Sequence, residues 1–132
     1  MNTELWCLVA ITLWTVVLNY LPLLGRMGEV KLSDGLRFGF GNRDQDIAGA
    51  AWVQRADRAH RNHLENLPIF IVLILVGKLS GHQDSTTATA AMVFVGARVL
   101  HLFVYVAGIK VIRTLVYWTS LAAAGWLLYK LF

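Results

Sequence analysis

The chain has little of what most soluble functions draw on. Of 132 residues only 15% are charged, 8 acidic against 12 basic, and there are one cysteine, four histidines and two prolines. The lone Cys7 excludes an intrachain disulfide and a clustered-thiol zinc site, and its place inside an apolar run makes it a packing residue. Four histidines are too few for a histidine-box di-iron centre. His60 and His63 stand i, i+3 near Glu65, which is possible ligand spacing. Orientation puts His82 on the opposite side of the membrane, however, and His60 points away from the polar face, so no metal is expected. No internal repeat and no pair of discontinuous helices is present, which argues against a transporter of small anions. Residues 1–4 lack the positive charge that opens a signal peptide, and the apolar run behind them is long for one, so it reads as a retained anchor.

What is there is apolar surface. The chain is 57% hydrophobic with a mean hydropathy of +0.56, more than a soluble domain of this length can bury. Residues 5–24, 50–79, 88–108 and 111–131 read as four transmembrane helices in one all-α domain. Residues 25–49, rich in Gly, Asp, Arg and Asn without an amphipathic period, read as a polar loop. The apolar part of the second helix, residues 67–76, is too short to span alone, so part of its polar half must enter the membrane or its interface. Pro68 within it predicts a kink or a loosened turn.

Charge asymmetry orients the bundle. Arg26, Lys31, Arg37, Arg43, Arg55, Arg58, Arg61, Lys110 and Arg113 fall on one side, and Lys78 and Lys130 on the other. Both termini are therefore expected outside and the first and third loops in the cytoplasm. The basic residues sit in or beside apolar segments and form no surface run, so the net charge of +4 signals topology and not nucleic acid.

With that orientation the intramembrane polar residues meet at one level. At ~100° per residue, Arg55, Arg58, Asn62 and Glu65 share a stripe on the second helix, with Arg61 at its edge and Asp57 off it. Arg98, His101 and Tyr105 share a face of the third helix; Arg113, Tyr117 and Ser120 share one of the fourth, beside Thr114. A charge facing lipid costs roughly 2.5 kcal/mol or more, so these faces should turn toward one another or toward a neighbouring subunit. Glu65 and Asp57 cannot neutralise five arginines, which leaves room for an anionic ligand. The planar guanidinium fork suits carboxylates, and Glu65 can receive an ammonium; a small zwitterion with extra carboxylates fits. Structural alternatives stand beside this. Arg55 reads as a solvated topology signal, Arg61 and Glu65 can pair along the helix, and Arg98 can clamp Glu65 or backbone carbonyls.

The run from Arg58 through Arg61, Asn62, His63 and Glu65 to Pro68, RAHRNHLENLP, resembles the second-helix signature of the MAPEG family, the membrane-associated proteins in eicosanoid and glutathione metabolism. Arg98, His101, Tyr105, Arg113, Thr114 and Tyr117 are similar in order and spacing to helices three and four of its prostaglandin E synthase branch. The resemblance implies a homotrimer of four-helix bundles that binds glutathione between subunits near the cytoplasmic face. It implies glutathione contacts from Arg61, Asn62 and Glu65, from His101 and Tyr105, and from Arg113, Thr114 and Tyr117. Arg58 and Arg98 match supporting arginines, and Arg26 is the candidate from the first helix. His60 and His63 are expected to be bystanders.

The implied activity is that of a transferase or peroxidase acting on lipophilic electrophiles that enter from the lipid side. Its nucleophile is a thiolate held by the charge of Arg113 and the hydroxyl of Thr114. The chain departs from the branch in having Thr114 for serine and a connection between Tyr105 and Arg113 one residue shorter. No acidic residue among Asp34, Asp44 and Asp46 clearly matches the one proposed to matter in the branch's first loop. The alternative function is a non-catalytic lipid-binding or scaffold protein of the same fold.

Overall fold

A computed structural model describes residues 1–42 and 49–132. Its elements are α1 (Thr3–Gly28), α2 (Leu32–Phe40), α3 (Ala51–Leu79), α4 (Ser85–Ala107) and α5 (Lys110–Tyr129). Helices α1, α3, α4 and α5 are each long and apolar enough to cross a membrane, since 20 residues rise about 30 Å. The four-helix expectation is met, and α3 runs through Pro68 as one continuous helix.

The first connection differs from the expected loop. α1 continues to Gly28 and residues 32–40 form a fifth, short helix. Leu32, Leu36 and Phe40 recur every four residues, while Gly35 and Gly39 turn their flat sides to α1. A Cβ on Gly35 would lie 2.7 Å from the Met27 carbonyl oxygen. The glycines that made this stretch look like loop are what let the helix lie so close. Arg43, Asp44 and Asp46 lie outside the described residues.

Polar ties set the two ends of the bundle. At one end Asn2 donates to Gln83, and buried Glu4 accepts from the Thr87 hydroxyl at 2.7 Å. The Asp84 carboxylate accepts from the amides of Thr86 and Thr87, capping α4, and pairs with Lys130 at 2.7 Å. The hydrogen bond from Lys130, then those from Thr86 and Thr87, hold the Asp84 carboxyl below the usual carboxylate range. Both termini therefore share an end with the α3–α4 turn. At the other end Gly108 takes a left-handed conformation, φ 79°, and donates to the Tyr105 carbonyl at 3.0 Å, which turns α4 directly into α5.

α4 packs most extensively on α5. Alanines 90, 91, 123 and 124 are buried in the main core cluster, and small residues of this kind allow the close approach typical of membrane bundles. Phe70 of α3 stacks on Phe94 of α4 with ring centroids 4.1 Å apart. Leu13, Phe103, Leu115 and Trp118 are among the large apolar side chains left on the outside, as a lipid-facing surface requires.

Candidate functional site

Where α3, α4 and α5 converge near the α4–α5 turn, Asn62, His101, Tyr105, Arg113, Thr114 and Tyr117 line a cavity of about 250 Å³. The Arg113 guanidinium lies 4.8 Å from the Tyr105 ring centroid, a cation–π distance. The Tyr105 ring in turn stands edge-on to His101 at 5.3 Å, and the Tyr117 ring lies 6.4 Å from that of His101. These contacts fix the aromatic walls and leave the guanidinium at the rim.

Behind the wall lies Arg98, only 2% exposed. Its Nη1 donates to Asn62 Oδ1 at 2.9 Å and its Nη2 to the Asn62 carbonyl at 3.3 Å. The guanidinium carbon also lies 5.7 Å from the Phe94 ring and 5.8 Å from that of Tyr117. Among the described residues the ion pairs are Arg26–Asp57 and Lys130–Asp84, so no carboxylate contacts Arg98. The arginine is a clamp on Asn62, side chain and backbone together. Because Asn62 Oδ1 is taken, the group that Asn62 offers the cavity is its NH₂. The site thus presents a guanidinium and an amide donor, with no carboxylate among the described residues of its lining.

The stripe on α3 straddles the boundary between the inside and the outside of the protomer. Taking Arg58 as zero, Asn62 and Arg55 lie at ~40° and ~60° and Glu65 and Arg61 at ~340° and ~300°. The first pair turns inward; Arg58, Arg61 and Glu65 lie on the outward side, all three exposed. Arg61 and Glu65 form no ion pair among the described residues. Arg55, expected to be a solvated topology signal, donates instead from Nε to the Val106 carbonyl at 2.7 Å and ties α3 to the end of α4. Arg26 binds Asp57 between α1 and α3 and does not line the cavity. Thr114 lines it, but its hydroxyl donates to the Lys110 carbonyl at 3.1 Å and must rotate to serve a ligand.

The two histidines set aside in the sequence have different places. His60 lines a separate groove of about 430 Å³ between α1 and α3, with Asn19 and Tyr20. His63 is 2% exposed, its Nε2 lying 2.9 Å from the Thr15 hydroxyl of α1. Residues 53, 56, 59, 63, 66 and 70 all face the core of α3. A histidine on that buried, mostly apolar seam was the signal that it is structurally engaged.

A larger cavity of about 600 Å³ lies between α4 and α5 toward the opposite end, bordered by Ser85, Thr89, Thr119 and Trp126. The Thr89 and Thr119 hydroxyls donate to the carbonyls of Ser85 and Leu115, each at 2.9 Å. That cavity offers methyl groups and an indole, not converging polar groups. The smaller cavity has the chemistry.

The sequence model of the MAPEG family matches residues 5–132. The chain belongs to the MAPEG family. Membership takes in all four spanning helices and makes this an integral membrane protein. Over 53 residues this MAPEG chain is 43% identical to proteins named microsomal glutathione S-transferase 1 from Rattus norvegicus, Homo sapiens and Mus musculus. The matched stretch is 40% of this chain and 34% of each relative, so the chain spans about a third of the length of these MAPEG relatives.

Proposed function

We propose that the protein is a glutathione-dependent transferase acting on lipophilic electrophiles, with Arg113 stabilising the glutathione thiolate. The observation that carries this is the one-sided chemistry of the cavity. Arg113 and the Asn62 NH₂, turned inward by Arg98, offer positive charge and donors with no carboxylate beside them among the described residues. Glutathione brings two carboxylates and an ionisable thiol to match. Relatives named for glutathione transfer support the same ligand.

The outward-lying Arg58, Arg61 and Glu65 supply the second half of the site. They stand one helical step from Asn62 on the outer face of α3, where a neighbouring copy in a homotrimer would bring them against a bound ligand. Glu65 then takes the ligand ammonium and the arginines a carboxylate. The charge asymmetry supports a cytoplasmic position for this end, where glutathione is available, with both termini on the far side. In conjugation, the sulfur–carbon bond forms as the electrophile's leaving group departs with its electron pair, and the thiol proton goes to solvent. With a hydroperoxide, the thiolate attacks the outer oxygen, and a second glutathione closes the disulfide as alcohol and water leave.

A second function, non-catalytic lipid binding, is favoured by the 600 Å³ apolar cavity. One experiment separates the two. Protein purified in detergent is titrated with glutathione, then assayed for conjugation of an aryl halide and for hydroperoxide reduction. Saturable binding with turnover supports the enzyme; no binding at millimolar glutathione supports the lipid-binding protein.

A further inference from the structure

The Thr15 hydroxyl has one hydrogen, and it lies 2.7 Å from the Ile11 carbonyl, to which it donates. Its contact with His63 at 2.9 Å must then be a donation from Nε2–H to the hydroxyl oxygen. That leaves Nδ1 of His63 as a lone-pair acceptor, buried and without a partner among the described residues. Nε of Arg98 is an N–H donor in the same condition. Arg98 already grips the carbonyl of Asn62, which belongs to the peptide joining Asn62 to His63. One acceptor and one donor, each buried and orphaned, thus belong to side chains that are joined through a single peptide unit. Trp14 Nε1 is likewise unpartnered, but it sits on α1, with its ring packed near Phe103.

We infer that His63 is a positioning residue of the candidate site, its Nδ1 and the Arg98 Nε–H sharing one bridging water. An orphaned buried polar group costs on the order of a hydrogen bond or more, and a water needs only two to four such partners. The link completes a chain from Thr15 of α1 through His63 of α3 to Arg98 of α4, and from there back to Asn62. Its effect is to fix the roll of the guanidinium. Nη1 then stays on Asn62 Oδ1, and the Asn62 NH₂ stays aimed into the cavity. His63 touches no substrate; it acts through Arg98.

The consequence for ligand binding rests on the glutathione reading above, and the test separates the two. An asparagine at this position would place an oxygen where Nδ1 now lies. A glutamine would keep only a group near Nε2, and a phenylalanine would fill the space without either. His63→Asn should therefore retain most of the glutathione affinity, while His63→Gln and His63→Phe should each lose it by roughly tenfold, with turnover at saturation little changed. In an Asn62→Ala background these losses should disappear. Tighter binding by His63→Gln than by His63→Asn, or a His63→Phe protein as tight as the parent, overturns the proposal. A second measurement needs neither glutathione nor a variant: nitrogen NMR of the histidine rings should show His63 protonated at Nε2 alone. A hydrogen on Nδ1 overturns the proposal even if the protein binds no glutathione.

Discussion

Asn62→Asp puts the arrangement of the cavity under a two-way test. Arg98 is buried and donates to Asn62 Oδ1 at 2.9 Å, so one oxygen of the new carboxylate would inherit that contact. The guanidinium would gain a direct ion-pair partner, and the fold should melt no lower than the parent. The other oxygen would replace the NH₂ that faces the cavity. A ligand carboxylate would then lose a charge-assisted hydrogen bond, about 1.5–3 kcal/mol, and meet a like charge instead. Glutathione affinity should fall by roughly 10-fold to 150-fold. Calorimetric titration and thermal melting in the same detergent read both quantities. Weaker binding with an unchanged or higher melting temperature is the expected pair. Undiminished binding, or a lowered melting temperature, would show that Asn62 is not held by Arg98 in the way its contacts indicate.

Other expectations follow from the same contacts. Asp84 is held below the usual carboxylate range by its Lys130 and threonine partners, so its contribution to stability is full above about pH 3.9 and is lost as pH falls below that. Asp84→Asn, which keeps an N-cap but not the charge, should melt lower near neutrality and show a shallower decline into acid. His60 lines the α1–α3 groove and not the polar cavity, so His60→Ala should barely alter turnover; a drop of an order of magnitude would extend the site across α1.

Much of the architecture was legible because it depends on composition and length. Four helical stretches long enough to cross a bilayer in so apolar a chain have few other uses, and the short gap between 108 and 111 left room only for a tight turn. α2 was hidden because two of its nine residues are glycines, which read as loop until Met27 is seen lying against them. For the candidate site, helical spacing brought together His101, Tyr105, Arg113, Thr114 and Tyr117, which line one cavity, and Arg98, which contacts Asn62 of its lining. It could not find the edge of the inward face on α3, because that depends on how far the helix is rolled against α4. Arg61 and Glu65 therefore stand outside the protomer while Asn62 stands inside. The contacts of Arg55 and His63 were hidden for a related reason. Their partners, the Val106 carbonyl and the Thr15 hydroxyl, are distant in sequence and chemically ordinary.

The most direct measurement is the ultraviolet absorbance of thiolate when glutathione is added to the purified protein near neutral pH. A free thiol with a pKa of about 8.5 is mostly protonated there. Arg113 at the rim of the cavity should convert bound glutathione to thiolate, seen as a saturable absorbance increase. In Arg113→Ala that increase should vanish while some glutathione still binds. An increase of equal size in the variant, or none in the parent protein at saturating glutathione, would contradict the role assigned to Arg113.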